Sequence, residues 1–481
     1  MKRLFWLLCL VVGFSSVQAQ QVLYTPASDF DLRNGTTAVV GKAAGRIYTF
    51  RGDGDGYFLD AWNDSMLPVA TVILDFLPQK IYDSYFAVSG DSITMLYQYL
   101  DGRDLYLYGA VLDGDGRLLR RPLRLDQKRT GFLGGADYYS YNAADSKRKL
   151  MAYSISDDSR ELGVTAVVMN ADLSGIRRTS NTLKRDGNLL ASKPVLTNAG
   201  ELLIPVRQAT GRRDQYDALM LVRFPETSRT PELTYLPLAE DVYVEEPFLR
   251  TAPQDGKLYL AAFYTNRRNG NPDGILFVGL DPGTYTTFRK LQVPFDDRLR
   301  AMTGERSLRN AFANQHLRQL IIKNDGGFVV VSEENYVSYR TAYTPGWGYY
   351  SFYGPFMGGP QVREYFYNDI LAVSVGADGV MEWPAFIRKE QYSQEDGGLF
   401  SSYAFINTGN SLGFLFNNFD RQRSSIGLVQ VDDAGNQVSR RFGGDAEMPD
   451  WVPRSAKQIS ARELVVPCLL RKKVCFAKVQ F

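Results

Sequence analysis

The 481-residue chain carries 55 basic and 53 acidic residues, too even a balance for a protein that tracks nucleic-acid phosphates. Aromatic residues make up 13% of it, 29 Tyr and 28 Phe among them, a bias toward pleated, half-buried surfaces and so toward strands. One histidine and three cysteines leave little material for a histidine zinc site, a Ser-His-Asp triad or a Cys-His pair.

Met1-Lys2-Arg3 precedes an apolar run from Leu4 to Phe14, followed by Ser15-Ser16 and Val17-Gln18-Ala19. A basic start, a short apolar stretch and a small-residue end predict a signal peptide over residues 1–19, cleaved near Ala19. The run is too short to span a bilayer, and no later stretch approaches about 18 apolar residues. Cys9 lies in mid-run behind Leu7-Leu8, a poor context for a lipoprotein cleavage site. Residues 1–19 hold two basic residues and no acidic ones, so the remainder balances at 53 against 53. The expectation is an exported protein of the periplasm or outer surface of a Gram-negative bacterium, without a transmembrane segment or a nucleic-acid partner.

From residue 20 onward short β-like runs recur every 40–50 residues or so, the period of propeller blades. The clearest unit is Val242 to Val293. It reads as a strand from Tyr243-Val244, a second over Lys257–Tyr264, a third over Ile275–Leu280 and a fourth from Tyr285 to Val293. Asp281-Pro282-Gly283 makes the tight turn before the last strand. The same third-strand, turn, fourth-strand pattern returns around Asp113-Gly114-Asp115-Gly116, Asp172 to Gly175, Ala377-Asp378-Gly379 and Asp432 to Gly435. The units cover about 37–76, 80–125, 135–184, 190–238, 242–293, 310–390 and 399–441, and a last one begins near Ala456. An all-β propeller of four-stranded blades is predicted, eight blades by this count and seven as the next choice. A pair of β-sandwiches or an open β-solenoid is the rival architecture.

The last unit stops one strand short, and Val22-Leu23-Tyr24 can supply the missing outer strand. Sharing a blade between the N- and C-terminal strands removes an open edge and ties down both ends. Cys468 and Cys475 flank Arg471-Lys472, so a two-residue hairpin sets them opposite each other, near disulfide range. They form either a bridge or two buried thiols, and in both cases pin the closing blade.

Residues with chemical potential are scattered. His316 falls with Leu308 and Phe312 at i, i+4 and i+8, which fits either a short helix over Glu305–Leu320 or the loop and first strand of the sixth unit. Asp53-Gly54-Asp55-Gly56 resembles the start of a calcium loop, but Tyr57 and Phe58 stand where further oxygen ligands belong. Asp113-Gly114-Asp115-Gly116 runs into Arg117; both read as hairpin turns, and no metal or cofactor is expected. Arg117, Arg120, Arg121 and Arg124 read as a solvated edge. The doublets Glu245-Glu246, Asp296-Asp297 and Glu333-Glu334 put sequence neighbours on opposite faces of a strand, which argues against a catalytic carboxylate pair.

The sixth unit departs from the repeat. Its second strand, Phe328 to Ser332, and its third, Ile370 to Val375, are separated by nearly forty residues rich in Tyr, Gly and Pro. The insertion at about 336–367 includes Tyr343, Trp347, Tyr349, Tyr350, Phe352 and Tyr353. Tyr and Trp offer large contact area at low entropy cost, and long structured loops in compact domains tend to be functional. The segment either presents these rings to a partner or folds back to cap the ring of blades.

Just after it come Tyr367-Asn368-Asp369-Ile370-Leu371-Ala372-Val373, Gly379-Val380-Met381-Glu382-Trp383 and Ile387-Arg388-Lys389-Glu390-Gln391. These stretches resemble a segment of exported, functionally uncharacterised β-propeller-like proteins of Gram-negative bacteria that carry a Tyr/Gly-rich insertion. The resemblance covers some thirty residues, implies export and β-architecture, and brings no activity with it. The reading from sequence is a non-enzymatic binding or scaffolding protein of the cell envelope, meeting an envelope protein or glycan through residues 336–367. Its rivals are a carbohydrate-active hydrolase or lyase working in the propeller channel, and a structural piece of an envelope complex. No catalytic residue is singled out.

Overall fold

The structure, a computed structural model, describes residues 22–28, 35–130, 138–157, 161–184, 188–209, 216–226, 228, 230–252, 255–268, 270–341, 361–420, 423–443 and 448–481. The strands form eight antiparallel sheets of four principal strands each. Consecutive stretches of chain make consecutive sheets, spanning 36–73, 83–129, 140–184, 188–236, 243–294, 315–394, 404–443 and 450–480. This is an eight-bladed β-propeller, as the repeat predicts. The first strand of blade one, Thr36–Ala43, touches Asp83–Ser89 of blade two on one side and Lys457–Ser460 of blade eight on the other, so the ring is closed.

Blade five explains the composition. Its second and third strands, Leu258–Thr265 and Gly274–Leu280, are buried along their whole length. Both faces pack against neighbouring blades, so the sequence there runs apolar instead of alternating, as in any sheet covered on both sides. The outer strand Thr287–Pro294 fully buries only Val293. Aromatic rings fill the wedges between blades. Phe277 of blade five stacks on Phe328 of blade six with centroids 4.0 Å apart, a contact that adds about 0.5–1.5 kcal/mol beyond the area it buries.

Ring closure follows the sequence expectation. Val22–Tyr24 lies antiparallel to Lys473–Gln480, with Val22 opposite Val479 and Tyr24 opposite Ala477. The Thr25 amide continues the ladder to the Phe476 carbonyl at 2.9 Å. In the same blade Cys468 stands directly opposite Cys475. The turn between them holds Arg471 at φ 50° and Lys472 at φ 73°, the left-handed pair of a two-residue hairpin. The two thiols are free and buried, with Sγ atoms 2.7 Å apart.

Of the two readings of Glu305–Leu320, the loop and first strand of the sixth unit is the one found, and the single helix is not. A five-residue helix, Asp297–Ala301, is capped by Asp296, whose Oδ1 accepts from the Leu299 amide at 2.7 Å. A single 3-10 turn follows at Leu308–Asn310, and Gln315–Ile322 is the first strand of blade six. Phe312 takes φ 63°, which a continuous right-handed helix cannot hold. The sixth-blade insertion, in turn, is not a loop from its first residue to its last. The second and third strands run on as Phe328–Thr341 and Gln361–Val375, paired out to Thr341 opposite Gln361. Tyr392–Gln394 adds a short strand against Glu364–Phe366. Tyr336 stacks on Phe366 at 4.7 Å, and Phe366 meets Tyr392 at 5.1 Å. Much of the aromatic content therefore builds a ribbon. Tyr343, Trp347, Tyr349, Tyr350, Phe352 and Tyr353 lie outside the described residues, as does the 1–19 segment.

Candidate functional site

The chain runs down the first strand of each blade and up the second. Turns between strands one and two and between strands three and four therefore share one face, here called lower. Second-to-third connections and blade-to-blade links share the upper face. The repeated Asp-containing turns of the third-to-fourth position are lower-face turns, and their carboxylates are spent locally. Asp113 Oδ1 accepts from the amides of Asp115 and Arg117 at 2.9 and 2.8 Å. Asp432 Oδ1 does the same for Ala434 and Asn436 at 3.0 and 2.7 Å. Asp53–Gly56 is the tight second-to-third hairpin of blade one. Among the described residues no group of three or more His, Cys, Asp or Glu side chains is placed to hold a metal ion.

The upper face opens a cavity of about 280 Å³ between blades four, five and six. Arg207, near the end of the second strand of blade four, and Tyr216, before its third strand, form one wall. Tyr243, Glu245 and Glu246 come from the first-strand region of blade five, and Gln315 and His316 open the first strand of blade six. The blade-six ribbon is a second-to-third connection, so it rises from this same face.

Arg207 is only 9% exposed. Its guanidinium lies over the Tyr216 ring at 4.4 Å, and its Nε is buried without a hydrogen-bond partner. Burial lowers its pKa, yet a guanidinium keeps its charge across the physiological range. Beside it, burial pushes Glu245 above the usual carboxylate range. Glu246 moves the other way, held low by its contact with His316, whose Nδ1 is 3.5 Å from Oε2. Two adjacent carboxylates thus sit in one cavity with opposite tendencies to hold a proton. Gln315 is buried, and its Oε1 accepts from the Ser332 hydroxyl at 2.7 Å, which fixes the floor. The cavity can take an anionic group on Arg207 and hydroxyl groups on the carboxylates.

The strand-alternation argument does not apply to the Glu245-Glu246 doublet. Alternation applies to a continuous strand, but these residues fall in the break between the short strands Tyr243–Val244 and Phe248–Thr251. Both residues line the cavity. The other doublets serve structure: Asp296 caps a helix, and Glu333 is paired inside blade six with Lys389 at 2.9 Å. Arg207 carried no signal in the sequence, because its burial is set by blades that follow it in the chain.

No family model matches the chain, and no curated protein matches it either. Solved structures share its form at a distance. The WD40 domain of SCAP from fission yeast has a TM-score of 0.43 and 9% identity, over 96% of this chain and 98% of that one. A polysaccharide lyase, the PL25 ulvan lyase, has a TM-score of 0.39 and 11% identity, over 81% and 90%. Prolyl oligopeptidase B from Galerina marginata has a TM-score of 0.41 and 8% identity, over 91% of this chain and 56% of that enzyme. At these TM-scores and identities the likenesses carry no argument; the propeller is read from the order and pairing of the strands themselves.

Proposed function

We propose that this propeller is a binding protein of the bacterial cell envelope that takes an acidic glycan into the upper-face cavity of blades four to six. The observation that carries the reading is Arg207, buried against Tyr216 with its Nε unpartnered. A buried guanidinium N–H without an acceptor is costly unless a ligand completes it, and a carboxylate meets a guanidinium's planar fork. Glu245, Glu246, Tyr216 and Tyr243 surround it with acceptors for sugar hydroxyls and with ring faces. The volume suits one or two sugar units. Export and placement at the envelope rest on the Met1–Ala19 segment. The described blade-six ribbon rises from the same face, and its rings, such as Tyr336 and Phe366, would extend the contact toward a longer chain or a neighbouring envelope protein.

A second reading is a carbohydrate-active lyase or hydrolase at the same cavity. It is favoured by the divergence of Glu245, shifted toward the protonated form, and Glu246, held ionised beside His316.

The test is a glycan array of acidic and neutral oligosaccharides, with chain cleavage followed in parallel for every hit. Binding of uronate-bearing glycans that Arg207→Ala abolishes supports the binding reading. Cleavage lost in Glu245→Gln moves the protein to the enzyme class. Binding indifferent to Arg207→Ala sinks both.

A further inference from the structure

On the lower side of the ring lies a cation, Lys457, that no carboxylate among the described residues pairs with. The first strand of blade one is bulged between Val39 and Gly41, leaving Val40 without a partner in the ladder. Gly41 has φ 136°, in the region L side chains rarely adopt, and a Cβ there would stand 2.9 Å from Val88 Cγ2 of blade two. The Val40 carbonyl accepts instead from Lys457 Nζ of blade eight at 2.8 Å, and the Phe86 carbonyl of blade two accepts from the same atom at 3.0 Å. One ammonium group thus joins three blades through two of its three N–H donors.

Among the described residues, the charged groups that line the same cavity are engaged elsewhere or of the same sign. Lys42, on the strand that holds Val40, is paired with Asp64 at 2.6 Å and Glu463 at 3.7 Å. Lys478 of blade eight takes Glu463 at 3.2 Å and the Asp64 carbonyl. Asp145 of blade three accepts from the Thr251 hydroxyl of blade five. Lys147, in the turn after Asp145, acts on Lys457 as a like charge. Lys42, Lys147 and Lys457 all line a cavity of about 410 Å³, shared with Asn142, Asp145 and Tyr85.

We propose that this cavity binds a small oxyanion, a phosphate or a carboxylate, with Lys457 and Lys147 as its cationic ligands. A clasp between blades needs only hydrogen-bond donors. Lys457 is partly buried with one N–H donor beyond its two carbonyl contacts, and Lys147 lines the same cavity, so an anion there would offset two like charges at once. The site lies on the face opposite the Arg207 cavity and does not depend on the reading of that cavity.

Calorimetry on the intact protein tests this, with inorganic phosphate and citrate titrated separately at constant ionic strength. Burial and Lys147 depress the Lys457 amine to a pKa of about 8, so an anion that raises it draws a proton from buffer near pH 8. The binding heat should therefore change with the ionisation enthalpy of the buffer. Phosphate alone binding identifies a phosphate site, and citrate alone a carboxylate site. Lys147→Ala should weaken either by about tenfold, the usual effect of losing one charged hydrogen bond. Lys457→Met should abolish binding. Lys457→Arg, which keeps the cation if Met unfolds the blade, should bind without proton uptake. Neither anion binding the wild-type protein, or an unchanged buffer dependence in Lys457→Arg, overturns the proposal.

Discussion

Glu333 and Lys389 meet at the root of the blade-six ribbon with Oε1 and Nζ 2.9 Å apart, and both side chains are almost wholly cut off from solvent. Ser402 of blade seven donates to the other Glu333 oxygen at 2.8 Å. Lys389 also donates to the Tyr367 carbonyl at 2.8 Å and to Gln391 Oε1 at 3.1 Å. Gln391 passes the network on to the Asn417 carbonyl at 2.8 Å. The pair is thus satisfied on both sides and anchors the ribbon to two blades.

Removing Lys389 takes away the closest cation from the buried Glu333, leaving it Arg318 Nε at 3.5 Å and the Ser402 hydroxyl, both on its other oxygen. Lys389→Met should destabilise the protein by about 3–5 kcal/mol, and Lys389→Met with Glu333→Met should recover most of that loss. Urea denaturation of the two variants measures both.

Residues 22–28 complete blade eight. Deleting them leaves the Lys473–Gln480 edge unpaired and open to other chains. The truncated protein should melt at a lower temperature and elute partly as aggregate in size-exclusion chromatography. An unchanged melt would show that the shared blade contributes nothing.

Shortening residues 342–360 to a Gly-containing turn should leave the melting temperature within a degree or two of wild type. The ribbon strands up to Thr341 and from Gln361 keep their own ladder, and closure entropy changes by only about 0.6 kcal/mol per doubling of loop length. A large fall in melting temperature would assign the aromatics to packing; an intact melt with loss of envelope-protein or glycan capture assigns them to binding.

Glu245 titrates against stability. Its folded pKa is raised by burial, so ionisation above the unfolded value of about 4.3 favours the unfolded chain. Stability is lost as pH rises through the folded pKa. Glu245→Gln cannot ionise and should melt higher than wild type at neutral pH, with the gap closing near about pH 3. Paired thermal melts across that range check the sign.

Cys468 and Cys475 should resist alkylation in the folded, reduced protein, because burial pushes the Cys468 thiol well above its ordinary value and the thiolate is the reactive form. A mild oxidant should join them, since they already stand opposite each other. The bridge should add about 2–3 kcal/mol by the chain-entropy argument for a short loop. Mass spectrometry after denaturing alkylation distinguishes two alkylated thiols from one bridge.

Blade number and closure are legible in the sequence because they rest on local chemistry repeated many times. Apolar runs such as Leu258–Ala262 and turns such as Asp432 to Gly435 specify strands and reversals within a few residues. The leftover Val22–Tyr24 has one vacant edge to fill. The ribbon was only half legible: Tyr, Gly and Pro mark an insertion, but the pairing of Tyr336 with Phe366 spans the whole of it. The Arg207 cavity was not legible at all. A propeller brings Arg207, Glu245 and His316 together only when three blades stand side by side around the axis. Their charge environment is set by burial between sheets, which no single stretch of chain encodes. The bulge that turns the Val40 carbonyl toward Lys457 likewise belongs to the closed ring, where blade eight meets blade one.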